Sequence, residues 1–250
     1  MGSLSGRRVM VTSGGTREYI DDVRVVTNIS SGALGAIIAE ELFSRGAEVF
    51  YVFCKQAILP RPAHGIDDTS RMSTYGVVTV NDLKETMESI IKGFKIDTVI
   101  HSAAVSDFTF KNKGNIKLSS DSPEAFIEFM KSTITTTPKI IKLVKEWNPN
   151  ITLVGFKFTV GKNPDELCEI ALESLKKSKA DLVVANDLKQ MKDLNTHTAY
   201  FVRDKNPIMG WPGLSHIVYM QEKPQIAAGI KRGKPQIAVG IADFLSGDYL

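Results

Sequence analysis

Short apolar runs alternate with stretches of helical spacing from the N-terminus onward. Val9 to Thr12 is an apolar run bounded by arginine and glycine, with the length of a buried strand. Leu34, Ile37, Ile38, Glu41, Leu42 and Arg45 then recur at helical spacing, and Gly46 ends the pattern. Glu48 to Phe53, β-branched and aromatic, reads as a second strand. After a polar, proline-containing loop over 54–75, Val77 to Val80 reads as a strand, Asn81 as the cap of a helix reaching about Lys92, and Thr98 to His101 as a further strand. Phe126 to Met130 reads as a short strand. Thr137 as cap and Pro138 at the first helical position open a helix with Ile140, Ile141 and Val144 on one face. Ile151 to Phe156 is a strand, Pro164 to about Lys179 a helix, and Leu182 to Ala185 a strand ending at Asn186 and Asp187.

Strands alternating with helices imply parallel pairing with right-handed crossovers. The expected fold is therefore α/β, a three-layer Rossmann-like arrangement with a mainly parallel central sheet, built as one domain over 1–250. Thr198 to Val202 and His216 to Met220 alternate like antiparallel edge strands and suggest a small extension over about 186–222. The stretch KNKGNIKLSSDS has neither period, and 109–122 reads as a mobile flap. KPQIAAGI at 223–230 is nearly repeated as KPQIAVGI at 234–241, but only the second copy continues as a helical pattern, through Phe244 and Leu245. Two copies are too few for a solenoid.

The longest departure from both periods near the N-terminus is the loop within residues 11–35, VTSGGTREYIDDVRVVTNISSGALG. Gly14 and Gly15 permit a tight turn after the first strand, while Ser30, Ser31 and Gly32 supply a cap and exposed N–H groups at the start of the helix. An anion there would meet unpaired donors and the positive end of the helix dipole, so the loop reads as a phosphate cradle. Connections between adjacent α/β elements usually take about 2–6 residues, which argues against a plain connector.

Composition narrows the partners. The chain has 250 residues, 43% hydrophobic and 24% charged, with a net charge of +3, too mild for a nucleic-acid-binding surface but compatible with an anionic small molecule. Cys54 and Cys168 stand far apart, which argues against a disulfide framework or a zinc site and for reduced core thiols in a cytoplasmic setting. The N-terminus lacks a secretory apolar region, and no stretch of about 18 apolar residues could span a bilayer. His64, His101, His197 and His216 are isolated, and the carboxylate pairs Asp21/Asp22 and Asp67/Asp68 read as solvated charges. Lys176, Lys177 and Lys179 form a basic helix end that a triphosphate could use.

The order of strand, glycine turn and helix raises a NAD(P)-dependent oxidoreductase of Rossmann type as one reading. The loop lacks G-x-G-x-x-G, and the second strand ends Val52, Phe53, Cys54 without the acid that would hold a ribose diol. Tyr51/Lys55 and Tyr219/Lys223 have the spacing used for hydride chemistry on a helix, but in strands such pairs stand about 13 Å apart. What remains is a set of candidates at strand ends: Arg24 and Asn28, then Ala103, Ala104 and Asp107, then Lys117 on the flap and Phe156.

The segments VTSGGTRE, VRVVTNISSGALG, HSAAVSDF, NIKLSSDS, TTPKIIKLVKEWNP, LVGFKF and ADLVVANDL, in this order, closely resemble the phosphopantothenoylcysteine synthetase (phosphopantothenate-cysteine ligase) family in its stand-alone bacterial form. The resemblance implies a nucleotide-dependent ligase of coenzyme A biosynthesis acting on 4'-phosphopantothenate and L-cysteine. CTP or ATP would be the cosubstrate, with Mg²⁺ carried through the triphosphate and no dedicated metal cage. It further implies a cytoplasmic homodimer, with the edge strands after Asn186 as a contact. By position, Asn28 matches the residue at the acyl-phosphate, Arg24 an arginine for an anionic substrate group, and Lys117 the flap lysine. Ala103 and Ala104 match a small pair beside the substrate, and Asp107, Pro138, Lys139, Ile140, Ile141 and Phe156 match segments around the nucleotide. One departure stands out: Ser174 and Ser178 occupy positions where fused bacterial members carry triphosphate lysines, and Lys176 or Lys177 is the expected substitute.

Overall fold

A computed structural model of the chain describes residues 2–61, 70–111, 117–118, 122–193, 198–203, 226–231 and 233–247. The first half contains β1 (Arg8–Ser13), β2 (Arg17–Tyr19), β3 (Val25–Thr27), α1 (Ala33–Ser44), β4 (Glu48–Cys54), β5 (Met72–Val77), α2 (Val80–Gly93), β6 (Thr98–His101) and β7 (Phe108–Phe110). There follow α3 (Pro123–Thr133), β8 (Ile134–Thr136), α4 (Ile140–Trp147), β9 (Thr152–Thr159), α5 (Pro164–Ser178) and β10 (Leu182–Asp187). The chain closes with α6 (Leu188–Asp193), β11 (Thr198–Val202), β12 (Ile226–Lys231) and α7 (Lys234–Ser246).

Eight strands form one sheet in the order β12-β11-β10-β9-β6-β1-β4-β5. The six from β5 to β10 pair in parallel, while β11 and β12 add antiparallel. Chain order reverses at β1, which lies between β4 and β6, so its carboxyl end opens a crevice of the kind where α/β sheets hold ligands.

Strand periodicity divides the core into two layers. Val9, Val11, Val49 and Tyr51 face α1 and α7, where Ile38, Leu42, Ile237 and Ile241 are buried. Met10, Phe50 and Val52 face the opposite layer, with Leu83 and Met87 of α2, Val144 of α4 and Leu167 and Leu175 of α5. Each such apolar side chain contributes roughly 1.5–3 kcal/mol on burial. Arg45 joins α1 to α7 through Glu41 at 2.7 Å and Asp243 at 2.6 Å. The expected three-layer, mainly parallel architecture is what forms. Among the described residues no helix is long and apolar enough to cross a membrane.

Several local expectations are corrected. Val77 ends β5 instead of beginning a strand, and Val80 is already helical. The cap is Thr79, whose hydroxyl accepts from Asp82 N–H at 3.1 Å while Asp82 accepts from Thr79 N–H at 2.9 Å. Asn81 reaches along the helix to Glu85 instead. Phe126 to Met130 lies in α3, opened by Ser122, whose hydroxyl accepts from Ala125 N–H at 3.2 Å, and by Pro123 in the first turn. Helix α4 starts at Ile140, two residues past Pro138, because the Thr137 hydroxyl is drawn to Ser106 O at 2.5 Å. Strand β11 is no edge: it is buried throughout and lies between β10 and β12. The strand expected at His216–Met220, Tyr219/Lys223, Asp67/Asp68, and His64, His197 and His216 lie outside the described residues.

Candidate active site

The loops leaving β1 and β6 are joined by their main chains. Ala104 N–H donates to Gly14 O at 2.8 Å and Thr16 N–H to Ala104 O at 3.2 Å, forming a parallel bridge between Gly15 and Ala104. Ser106 N–H extends the seam to Thr16 Oγ1 at 2.9 Å. A Cβ on Gly15 would stand 2.5 Å from Asn28 O, so the close approach of the next loop requires glycine. Beneath the seam, Thr12 Oγ1 accepts from Ala103 N–H at 3.2 Å and shares a hydrogen bond with His101 Nδ1 at 2.9 Å. Burial pushes the His101 pKa down to about 4, which keeps the ring neutral.

The serines do not cap α1 as expected. Its cap position is Gly32, left-handed at φ 72°, with no side-chain cap bond. Ser31 Oγ makes only a long contact, 3.4 Å, with Ala33 N–H, and Ser13 Oγ donates to Gly32 O at 2.9 Å. The first turn of α1 therefore presents N–H groups beside the glycine loop, the donors an oxyanion would use.

The loop itself contains the antiparallel hairpin β2–β3. Its turn is built on Asp21, a buried carboxylate that accepts from Val23 N–H at 2.9 Å, Arg24 N–H at 2.7 Å, Arg24 Nη1 at 2.8 Å and Leu118 N–H at 3.2 Å. Burial alone would raise its pKa; these hydrogen bonds and the Arg24 charge outweigh that and hold it below its ordinary value. Arg24 also donates to Leu118 O at 3.2 Å, and its guanidinium lies 5.7 Å from the centre of the Phe126 ring. Lys117, next to Leu118, is exposed. Asn28 Nδ2 donates to Val105 O at 3.1 Å from an exposed position. The structure thus brings Asn28, Ala103 and Ala104 to the glycine seam, while Arg24 and the neighbourhood of Lys117 meet at the turn of the β2–β3 hairpin. The flap is anchored at its base, because β7 pairs with β8 and the Thr109 hydroxyl donates to the buried carboxylate of Glu18.

The residues expected around the nucleotide divide. Asp107 and Lys139 form an exposed ion pair, and Thr137 N–H donates to Asp107 O at 3.0 Å. Pro138 is exposed beside them, whereas Ile140 is buried in the α2/α4/α5 layer. Phe156 packs on the opposite face of the sheet, with the α1/α7 layer. Gly155 and Lys157 flank it and face α4 and α5.

Between those helices and β9 lies a cavity of about 270 Å³. Lys139, Lys142, Lys157 and Lys177 line it against a single acid, Glu173. Ile141, Ile170, Ser174 and Ser178 complete its lining. Ser178 Oγ is turned back to Ser174 O at 2.8 Å. Lys177 is engaged with Glu173 at 2.6 Å, and Lys176, though exposed on the same helix, does not line the cavity. The Lys177 hydrogen bond and charge, with a smaller pull from Lys157, hold Glu173 below the usual carboxylate range.

Sequence reasoning missed Asp21, taken for a solvated charge, and the cavity residues Lys142 and Lys157. For Asp21 the available signal was an acid followed three residues later by Arg24 in a tight turn. Asp187, noted only as a strand end, accepts from Thr159, Gly161, Lys162, Lys189 and Gln190, which fixes the β9–α5 and β10–α6 corners. The two cysteines are buried, with thiols pushed up to about 12 by that burial, as inert core residues are.

Comparison with known proteins agrees with this fold. Residues 4–233 match the family model described as DNA/pantothenate metabolism flavoprotein C-terminal domain. The coenzyme A biosynthesis bifunctional protein CoaBC of Thermococcus kodakarensis is 43% identical over 187 residues, 75% of this chain and 43% of that protein. The chain thus spans under half the length of that relative. The crystal structure of the DNA/pantothenate metabolism flavoprotein from Streptococcus pneumoniae superposes with a TM-score of 0.74 at 32% identity, covering 97% of this chain and 100% of the other. The C-terminal domain of a CoaBC protein superposes at 0.68 with 25% identity, covering 99% and 98%. These matches bear out the resemblance read from the motifs, and the chain belongs to the DNA/pantothenate metabolism flavoprotein C-terminal domain family.

Proposed function

We propose that the chain is a phosphopantothenate-cysteine ligase formed by a single domain over 1–250. The observation that carries this reading is the glycine seam at the sheet's switch point, with Asn28 against it and the Asp107–Lys139 pair leading on to a lysine-lined cavity. In the first step the phosphopantothenate carboxylate attacks the α-phosphorus of CTP or ATP. The bond to the β-phosphate oxygen breaks, and pyrophosphate leaves. In the second step the cysteine amine attacks the acyl carbon, the amide forms, and the nucleoside monophosphate leaves. Such chemistry asks for position and charge neutralisation more than for a nucleophilic side chain.

Asn28 is assigned to donate to the acyl-phosphate and Arg24 to an anionic substrate group. Ala103 and Ala104 leave room for the substrate against the main chain, and Lys117 covers the intermediate and excludes water. Gly14, Gly15 and the first turn of α1 hold phosphate oxygens, while Asp107, Lys139 and Ile141 approach the nucleotide. Among the described residues no group of three His, Cys, Asp or Glu side chains could hold a metal, and the reading places Mg²⁺ on the phosphates. The active form is proposed to be a homodimer in the cytoplasm.

Purified protein given phosphopantothenate, cysteine and CTP or ATP is expected to release pyrophosphate; absence of release with both nucleotides sinks the reading. Lys117→Ala should lower turnover by about 10²-fold while leaving thermal unfolding unchanged, and undiminished turnover would remove Lys117 from the mechanism.

A further inference from the structure

The two oxygens of Asp21 bind different parts of the chain. Oδ1 accepts from Val23 N–H at 2.9 Å and Arg24 N–H at 2.7 Å, which completes the turn between β2 and β3. Oδ2 takes no part in that turn. It accepts from Arg24 Nη1 at 2.8 Å and, across the fold, from Leu118 N–H at 3.2 Å. Arg24 Nη1 also donates to Leu118 O at 3.2 Å, so the residue next to Lys117 is held at its N–H by the acid and at its carbonyl by the arginine. The Asp21 side chain is fully buried, whereas 33% of the Arg24 side chain is exposed.

The turn accounts for one oxygen only. An aspartate or asparagine closes such a turn through a single acceptor, and a buried carboxylate is costly unless its second oxygen is paired as well. Here the second is paired to a residue 97 positions away. The same hairpin engages that region twice more. Glu18 of β2, also buried, accepts from the Thr109 hydroxyl in β7 and from Val80 N–H at 2.7 Å, and the Arg24 guanidinium lies 5.7 Å from the Phe126 ring centre on α3. The hairpin therefore meets the chain at Thr109, at Leu118 and at Phe126. Among the described residues the hydrogen bonds of the Arg24 guanidinium run through Nη1, so Nε and Nη2 keep their donors for an anion.

We propose that Asp21 is a positioning residue of the ligation site: through Oδ2 it sets the Arg24 guanidinium and the Lys117–Leu118 peptide as one unit, while Oδ1 keeps the turn. Only the kinetic arm of the test rests on the ligase reading. Asp21→Asn separates the two oxygens, because an amide can give the turn its acceptor but then turns N–H groups toward Leu118 N–H and Arg24. Hydrogen exchange of the full chain, followed amide by amide, should show Leu118 exchanging about 10-fold faster in the variant, with Val23 within about 2-fold of wild type and the thermal midpoint little changed. In the pyrophosphate-release assay kcat/KM for phosphopantothenate should fall about 10-fold while KM for the nucleotide holds within about 2-fold. Unaltered Leu118 exchange would overturn the proposal, and so would a freed Leu118 amide with unaltered kinetics. Loss of Val23 protection together with a parallel decline in every kinetic constant would also overturn it, leaving Asp21 a turn former alone. If wild type releases no pyrophosphate yet Leu118 responds to the substitution, the hold on Leu118 and Arg24 stands and the ligase reading fails.

Discussion

Asp187 and His101 give the molecule two separate acid sensitivities. In the folded chain His101 titrates at about 4 because burial disfavours its charged form, below the ordinary 6.5. Its contribution is complete above pH 6.5 or so and is lost as pH falls toward 4, where the unfolded chain takes up a proton that the folded one refuses. For Asp187 burial works upward, but the N–H groups of Lys162, Gln190 and Gly161 and the Thr159 hydroxyl bring it to about 2. That contribution is present above about pH 4 and disappears between roughly 4 and 2. Denaturant midpoints followed from pH 7 downward should fall in both windows. His101→Gln should flatten the upper one, and Asp187→Asn the lower one at a cost of about 2 kcal/mol near neutrality; a wild-type midpoint constant between pH 6.5 and 4 would refute the His101 assignment. Neither effect is legible in the sequence, because each depends on parts distant along the chain: β1 and β9 flank the strand that carries His101, whose burial lowers its pKa, and Asp187 takes most of its donors from Thr159 to Lys162. Arg24 and Asn28 could be picked out from their positions in matched motifs, whereas the carboxylate that binds Arg24 was signalled only by its spacing, three residues before the arginine.

At the scale of elements, hydrophobic spacing was sufficient wherever a helix or strand buried a continuous face, as in α1, α5, β1 and β10. It failed where the apolar residues were not buried by the pattern they suggested. In α3, Ile127 is exposed and Thr133 is the buried residue, so the aromatic run mimicked a strand, while Ser122 and Pro123 carried the true start signal. The near repeat shows how context decides. Its first copy supplies β12, which completes pairing with β11, whereas the second opens α7, where Ile237, Ile241 and Leu245 continue a buried stripe at four-residue spacing. The misplacement of the α2 cap has a direct test: Thr79→Ala should lower stability by about 1 kcal/mol and Asn81→Ala by much less, read from urea unfolding midpoints. Equal effects would mean that the reciprocal Thr79–Asp82 bonds do not hold that helix end.

Over the whole molecule, the alternation of strands and helices was enough to expect the sheet and its two covering layers. The order of strands, and hence the crevice at β1, follows from which loops cross over which edge and has no local signature. Two loops far apart in sequence meet at that crevice through main-chain atoms, and the proposed site is built on their junction. Gly15→Val should therefore cost roughly 1–3 kcal/mol through overpacking against Asn28 and lower pyrophosphate release disproportionately; full activity would mean the Gly15 contact is not needed. The seam also sets what kind of sequence change the site can absorb. Two of its bonds join peptide groups of residues 14 and 16 to Ala104, and the third runs from Ser106 N–H to the Thr16 hydroxyl, so Thr16 is the one hydrogen-bonding side chain of the seam. Exchanging Ala103 or Val105 for another small residue leaves the frame intact. Deleting one residue from either strip would slide every donor past its acceptor and turn alternate side chains to the wrong side. The crevice can thus be retuned by substitution, whereas a change of length would break it.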